Sequence, residues 1–306
     1  MSEIDAVRIN FSAQNLLLLN VSLGLIMFGV ALNLTVEDFR RLVRNPRPAL
    51  VGVCSQFVVL PAVTFLLVWL LRPAPSIALG MILVAACPGG NISNFMSVNA
   101  GANTALSVTL TAVSTVLAIV LTPLNLSFWG GLYAPAAPLL TTVDVSGWQV
   151  VKTVAFILGI PLMLGMGVRR TAEDLARWLS RGMQVLSILI FAGIVLFALR
   201  ANFQYLVGYL GVVFDLVLLH NAAALAAGYQ LAFWTRLPLA SRRTLALETG
   251  IQNSGLGLIL IFNFFDGLGG MALVAGWWGV WHIVSGLGLS FYWRDRRLPL
   301  FAPQQP

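Results

Sequence analysis

Charge is what this 306-residue chain has least of: 9% of its residues are Asp, Glu, Lys or Arg, against about 25% in soluble globular chains. With 58% hydrophobic residues and a mean hydropathy of +0.88, a soluble fold is excluded, because it could not bury that much apolar surface. Cysteine is almost absent too. Cys54 and Cys87 sit in apolar runs with no metal or redox spacing, which excludes a disulfide framework and reads as small apolar packing. The two histidines, His220 and His282, fall in different runs, so no His/Cys cluster points to a transition metal. Residues 1–10 carry Glu3 and Asp5 and lead into no cleavage site, unlike a cleavable signal.

What the chain does have is long apolar stretches. Nine candidate spans lie near 12–34, 49–71, 76–100, 103–124, 148–168, 183–199, 206–233, 241–265 and 270–292. Backbone in lipid must satisfy its own hydrogen bonds, so such spans are helices or a closed barrel. Runs of about 20 residues without two-residue alternation select helices. The expected fold is an all-α polytopic membrane protein.

The formal charge of +7 is topological. Of the eighteen basic residues, fourteen fall in four clusters: Arg40 to Arg47, Arg169 to Arg181, Arg236 to Arg243, and Arg294 to Arg297. Nine spans put all four on one side, leaving Arg8, Arg72, Lys152 and Arg200 opposite. The positive-inside rule then places the N-terminus outside and the C-terminus in the cytoplasm, in a cell inner (plasma) membrane. No basic segment interleaves with exposed aromatics, which argues against a nucleic-acid partner. Trp69, Trp148, Trp234 and Trp293 near span ends suit an interfacial belt.

Two spans contain breaks. In the third, Cys87-Pro-Gly-Gly-Asn-Ile-Ser-Asn94 loses a backbone donor at Pro88 and gains unwound freedom at Gly89 and Gly90. In the eighth, Gly250 and Gly255 lie among Glu248, Gln252, Asn253 and Ser254. Glu248 falls roughly 10 Å along the helix from Ser241, where a carboxylate costs at least about 2–3 kcal/mol unless something pairs with it. Spans one to four would correspond to spans six to nine in inverted orientation. Inverted repeats with paired broken helices point to a secondary transporter with its site at the crossing. Close helix packing is the alternative use for such glycines.

The fourth span puts Ser107, Thr111, Ser114 and Thr115 on one helical face. Hydroxyls in membrane helices also bond back to their own carbonyls. Beside a break carrying Ser93 and Asn94, a hard cation held by oxygens is the better reading, and sodium suits neutral oxygens.

These segments, together with Ala105-Leu-Ser-Val-Thr-Leu-Thr111, Glu248-Thr-Gly-Ile-Gln-Asn-Ser-Gly-Leu256, Ile26-Met-Phe-Gly-Val-Ala-Leu32, Leu219-His-Asn221 and Val280-Trp-His282, resemble the bile acid:sodium symporter family. The resemblance runs from about residue 25 to 292 and implies a panel domain, near 12–34, 148–168 and 183–199. A core domain, near 49–124 and 206–292, would hold the two crossed broken helices. It implies two sodium ions. The first would be held by Ser93, Asn94, Ser107, Thr111 and Glu248, and the second by Gln56, Glu248, Gln252 and carbonyls near Thr249 and Ile251. Asn91, Asn253, His282 and Ile283 would lie near the organic substrate, a small anion such as a bile-acid-like steroid, a pantothenate-like acid or a short keto acid. No obligate protein partner is implied.

Asn91 stands where many bacterial members have Thr, and Ile283 where a His-Asn pair is common after the Trp, so substrate identity is the weakest implication. His220 and Asn221 read as helix-packing groups. Asp215, inside span seven, is either interfacial or a contact for substrate or proton. A proton-coupled carrier of the same fold would use it as a second acid. An intramembrane enzyme would need a nucleophile and base or an acid pair within the bilayer, and neither is present; a receptor without transport has little use for two broken helices.

Overall fold

The computed structural model describes residues 3–8, 13–142, 147–180, isolated positions between 182 and 193, and 203–294. Every named element among them is a helix. Among the described residues, five helices are long and apolar enough to cross a membrane: Pro46–Leu71, Thr104–Leu132, Val151–Thr171, Gly211–Trp234 and Gly269–Arg294. The first span appears as Ala13–Ala31, whereas most of the expected span at 183–199 lies outside the described residues. The protein is an all-α, multi-pass membrane protein.

The two interrupted spans are broken helices. The third is Pro75–Ala86 followed by Ile92–Asn99, and the eighth is Leu239–Gly250 followed by Ser254–Phe264. Each first half has 12 residues, about 18 Å of helix, so each break falls near the middle of a ~30 Å hydrocarbon layer. Cys87 and Ile251 are extended where the helices stop. The breaks cross through an antiparallel bridge between Gly89 and Gln252.

Other bounds moved outward. The fourth span continues past Pro123 to Leu132, because a proline in a membrane helix can be tolerated when neighbours satisfy the freed backbone groups. The seventh runs Phe203–Trp234. Asp215 lies ~28 Å from the Trp234 end of that helix, about one hydrocarbon thickness, and is exposed. The interfacial alternative fits that position.

The core packs at close range. A Cβ on Gly228 would stand 2.4 Å from the Leu245 carbonyl oxygen, so glycine there lets Phe203–Trp234 lie directly against Leu239–Gly250. Ala13–Ala31 packs against Ile160–Thr171, two of the expected panel spans. Outward faces carry residues such as Leu66, Val120, Leu124, Phe128 and Met163, a surface suited to lipid tails. Trp69, Trp148 and Trp234 are exposed near helix ends, as an interfacial belt requires.

Candidate functional site

Breaking two helices in mid-membrane frees backbone groups, and each unsatisfied one would cost several kcal/mol there. The crossing pairs them. Gly90 N–H donates to Ile251 O at 2.8 Å and Asn253 N–H to Pro88 O at 2.8 Å. The last carbonyls of the two first halves take side chains from neighbouring helices: Thr122 Oγ1 donates to Ala86 O at 2.7 Å, and Asn221 Nδ2 to Gly250 O at 2.8 Å. The second half of the eighth span starts under asparagine control. Asn253 Oδ1 accepts Leu256 N–H at 3.1 Å, an N-cap in the usual sense.

Glu248 sits fully buried against this crossing. Its Oε1 accepts from Ser93 and, at 2.5 Å, from Ser107. Thr111 Oγ1 lies 3.3 Å from both carboxylate oxygens and 3.4 Å from Asn94 Oδ1. Gln56 Nε2 stands 3.5 Å from Oε2. Three side chains of the first expected sodium group, Ser93, Ser107 and Thr111, therefore meet at the Glu248 carboxylate, and Asn94 joins them through Thr111.

The second group forms its other flank. Gln56 Oε1 accepts Gly89 N–H at 3.3 Å, Gln252 Nε2 donates to Thr249 O at 2.8 Å, and Ile251 O is held by Gly90. Gln252 Oε1 is buried and has no partner among the described residues. An acceptor left over beside a carboxylate, hydroxyls and peptide carbonyls is the donor set that a hard monovalent cation takes.

Gly89 makes this approach possible, since a Cβ there would stand 3.0 Å from Glu248 Oε2 and 3.2 Å from Gln56 Nε2. Helix Pro46–Leu71 contributes through a widened π-turn, Ser55–Val59, in which Leu60 N–H reaches back to Ser55 O. The next residue, Pro61, has no N–H to offer. Neighbouring residues on an α-helix diverge by about 100°, yet Ser55 and Gln56 are both fully buried and both contact Leu239–Gly250. Ser55 Oγ lies 2.6 Å from Thr249 Oγ1, and Gln56 faces Glu248.

The fourth-span face divides between its two readings. Ser107 and Thr111 reach Glu248, while Ser114 and Thr115 bond back to Thr111 O at 3.3 and 2.7 Å. Ser55, and Ser97 (3.2 Å from Ser107 Oγ), join the cluster without having been singled out in the sequence. Ser55 is a lone serine in its helix turn, whereas Ser97 follows Ser93 at i+4 on the same helical face, a spacing that could have marked it.

The expected substrate residues are less gathered. Asn91 is exposed at the crossing and Asn253 is half-buried beside it. His282 is buried, and Ile283 packs into the cluster of Met96, Ala100, Leu247 and Ile251. His220 serves packing: Thr64 Oγ1 donates to Leu60 O at 2.8 Å and lies 2.6 Å from His220 Nε2, and the ring sits on Trp278.

The model of the sodium bile acid symporter family matches residues 20–209. The uncharacterized sodium-dependent transporter YocS of Bacillus subtilis is 34% identical over 91% of this chain and 83% of its own length. A rice chloroplast protein described as a probable sodium/metabolite cotransporter, BASS2, is 33% identical over 92% of this chain, which spans 65% of that protein. Human sodium/bile acid cotransporter 4 is 32% identical over 77% of this chain and 54% of its own.

Proposed function

The chain belongs to the sodium bile acid symporter family, whose members are sodium-dependent transporters and not enzymes, and from that premise we propose that it carries out sodium-coupled symport of a small organic anion by alternating access. One observation carries the reading. A fully buried carboxylate, Glu248, lies at the crossing of two broken helices, ringed by hydroxyls and amides. Among the described residues it has no Arg or Lys partner. A buried acid without a cationic side chain asks for a cation from solution.

Two sodium ions share Glu248 in this reading. Ser93, Asn94, Ser107 and Thr111 complete the first site. Gln56, Gln252 and the Thr249 and Ile251 carbonyls complete the second. The organic anion lies between panel and core, against Asn91, Asn253, His282 and Ile283. Bile-acid-like steroids, pantothenate-like acids and short keto acids suit a site of this kind. Two sodium ions down a tenfold gradient supply about 2.8 kcal/mol, and moving one net charge through 100 mV adds about 2.3. Together these support accumulation on the order of several thousandfold.

The test is uptake from a panel of such acids into proteoliposomes under an imposed sodium gradient. Accumulation of one of them that collapses when potassium replaces sodium is the expected result. Accumulation driven by a pH gradient without sodium would favour the proton-coupled alternative, for which the exposed position of Asp215 offers no second buried acid at the crossing.

Orientation follows from the basic clusters. The loop at 169–181 faces the cytoplasm of the plasma membrane, with the N-terminus outside. A cysteine at the exposed Glu173 position should resist an impermeant thiol reagent in intact cells and react after permeabilisation. Labelling from outside would reverse the topology.

A further inference from the structure

Asn221 and Ser285 form a link that the sodium-site reading leaves unused. The Gly250 carbonyl can only accept, so the Asn221 side chain must turn its NH2 toward it; the contact is 2.8 Å. That choice turns Asn221 Oδ1 the other way, onto Ser285 Oγ at 2.6 Å. The serine proton must then point at Asn221, which leaves only a long 3.3 Å approach to the His282 carbonyl. Direction is therefore fixed along the whole relay: Ser285 donates to Asn221, and Asn221 donates to Gly250. Asn221 is fully buried, so water does not replace its bond to Gly250, while Ser285 at the other end is half-buried.

The two ends of the relay are functionally distinct. Gly250 lies between Thr249 and Ile251, whose carbonyls belong to the second cation group. Ser285 lies one helical turn beyond His282 and next but one to Ile283, on the helix Gly269–Arg294. A second contact runs beside the first: a Cβ on Gly286 would stand 2.6 Å from Ile251 Cδ1, and Ile283 packs against the cluster that contains Ile251. Residues 285 and 286 thus grip residues 250 and 251, one pair by hydrogen bonds and the other by packing.

We propose that Asn221 and Ser285 are positioning residues that couple cation binding at the second break to the Gly269–Arg294 helix face carrying His282 and Ile283. This rests on the sodium-symport reading. Turning the Thr249 and Ile251 carbonyls toward a cation moves the Gly250 peptide between them. The relay passes that movement to Ser285, where packing alone at Gly286 has no fixed direction. The organic anion then meets a face arranged by sodium, and by linkage it raises sodium affinity in return.

The experiment needs sodium alone as its probe. In protein carrying Cys54→Ala and Ile283→Cys, maleimide labelling at position 283 is followed with and without sodium at constant ionic strength, alongside sodium-induced thermal stabilisation. Sodium should change the labelling rate at least fivefold. With Ser285→Ala added, stabilisation by sodium should persist within threefold in apparent affinity while the labelling response falls below twofold. Ser285→Thr, which keeps the hydroxyl, should restore it. A labelling response unchanged by Ser285→Ala overturns the relay and leaves the sodium sites standing. Absence of sodium stabilisation in the Ser285 parent overturns the sodium reading itself, and the relay with it.

Discussion

Glu248→Gln is expected to reduce sodium-dependent uptake by at least a hundredfold while the protein still folds. The substitution keeps the shape of the side chain, and its amide oxygen can still accept from Ser93 and Ser107 as the carboxylate does. What it removes is the one negative charge facing two proposed cations. Folding should survive, because a neutral amide is easier to bury than a carboxylate. Thr111→Ala should do far less. Its hydroxyl lies at 3.3 Å from each carboxylate oxygen, and losing one neutral contact is worth about 1 kcal/mol, roughly a fivefold change in affinity. Equal losses in the two variants would mean that charge is not what matters at this position.

Gly89→Ala is expected to weaken sodium binding by tenfold or more. The added methyl would meet Glu248 Oε2 at 3.0 Å, Gln56 Nε2 at 3.2 Å and the Glu248 carbonyl at 3.2 Å. Two of these are the ends of side chains proposed as ligands, and the third is backbone of the helix they depend on. Either the carboxylate moves off its hydroxyls or the crossing opens by a few tenths of an ångström. Gly276→Ala is the control, since nothing lies within 4 Å of a Cβ there. Sodium titration of thermal stability separates the outcomes: a right-shifted curve for Gly89→Ala beside an unchanged one for Gly276→Ala is expected, and coincident curves would remove Gly89 from the site.

Much of this was legible in the sequence because the membrane makes polar and helix-breaking residues conspicuous. Pro88-Gly-Gly and the run from Glu248 to Gly255 cannot continue an apolar helix unnoticed, and they mark both breaks and the acid. Ser107 and Thr111 were legible as one face, but helical periodicity cannot tell them from Ser114 and Thr115, which bond to their own helix. That division depends on where the neighbouring break lies. Ser55 was missed for a different reason. An α-helical reading turns it away from its neighbour Gln56, and the π-turn that brings both inward has an ordinary apolar composition. Asn221 reads as a packing group until Gly250 is seen to end a helix with a free carbonyl beside it. The fourth helix runs through Pro123 and on to Leu132, beyond the expected end at 124; proline is a sound stop signal in water and a weak one in lipid.

The central claim is that Glu248 holds sodium, and the direct measurement is thermal stability against sodium concentration at constant ionic strength, with potassium as the replacing ion. Ligand binding to the folded state alone stabilises it by about 2.7 kcal/mol at a hundred times the dissociation constant, well within reach of a melting curve. The account predicts a saturable, sodium-selective rise in melting temperature for the unmodified protein and none for Glu248→Gln. Equal stabilisation by potassium, or a sodium response that survives in Glu248→Gln, would contradict it.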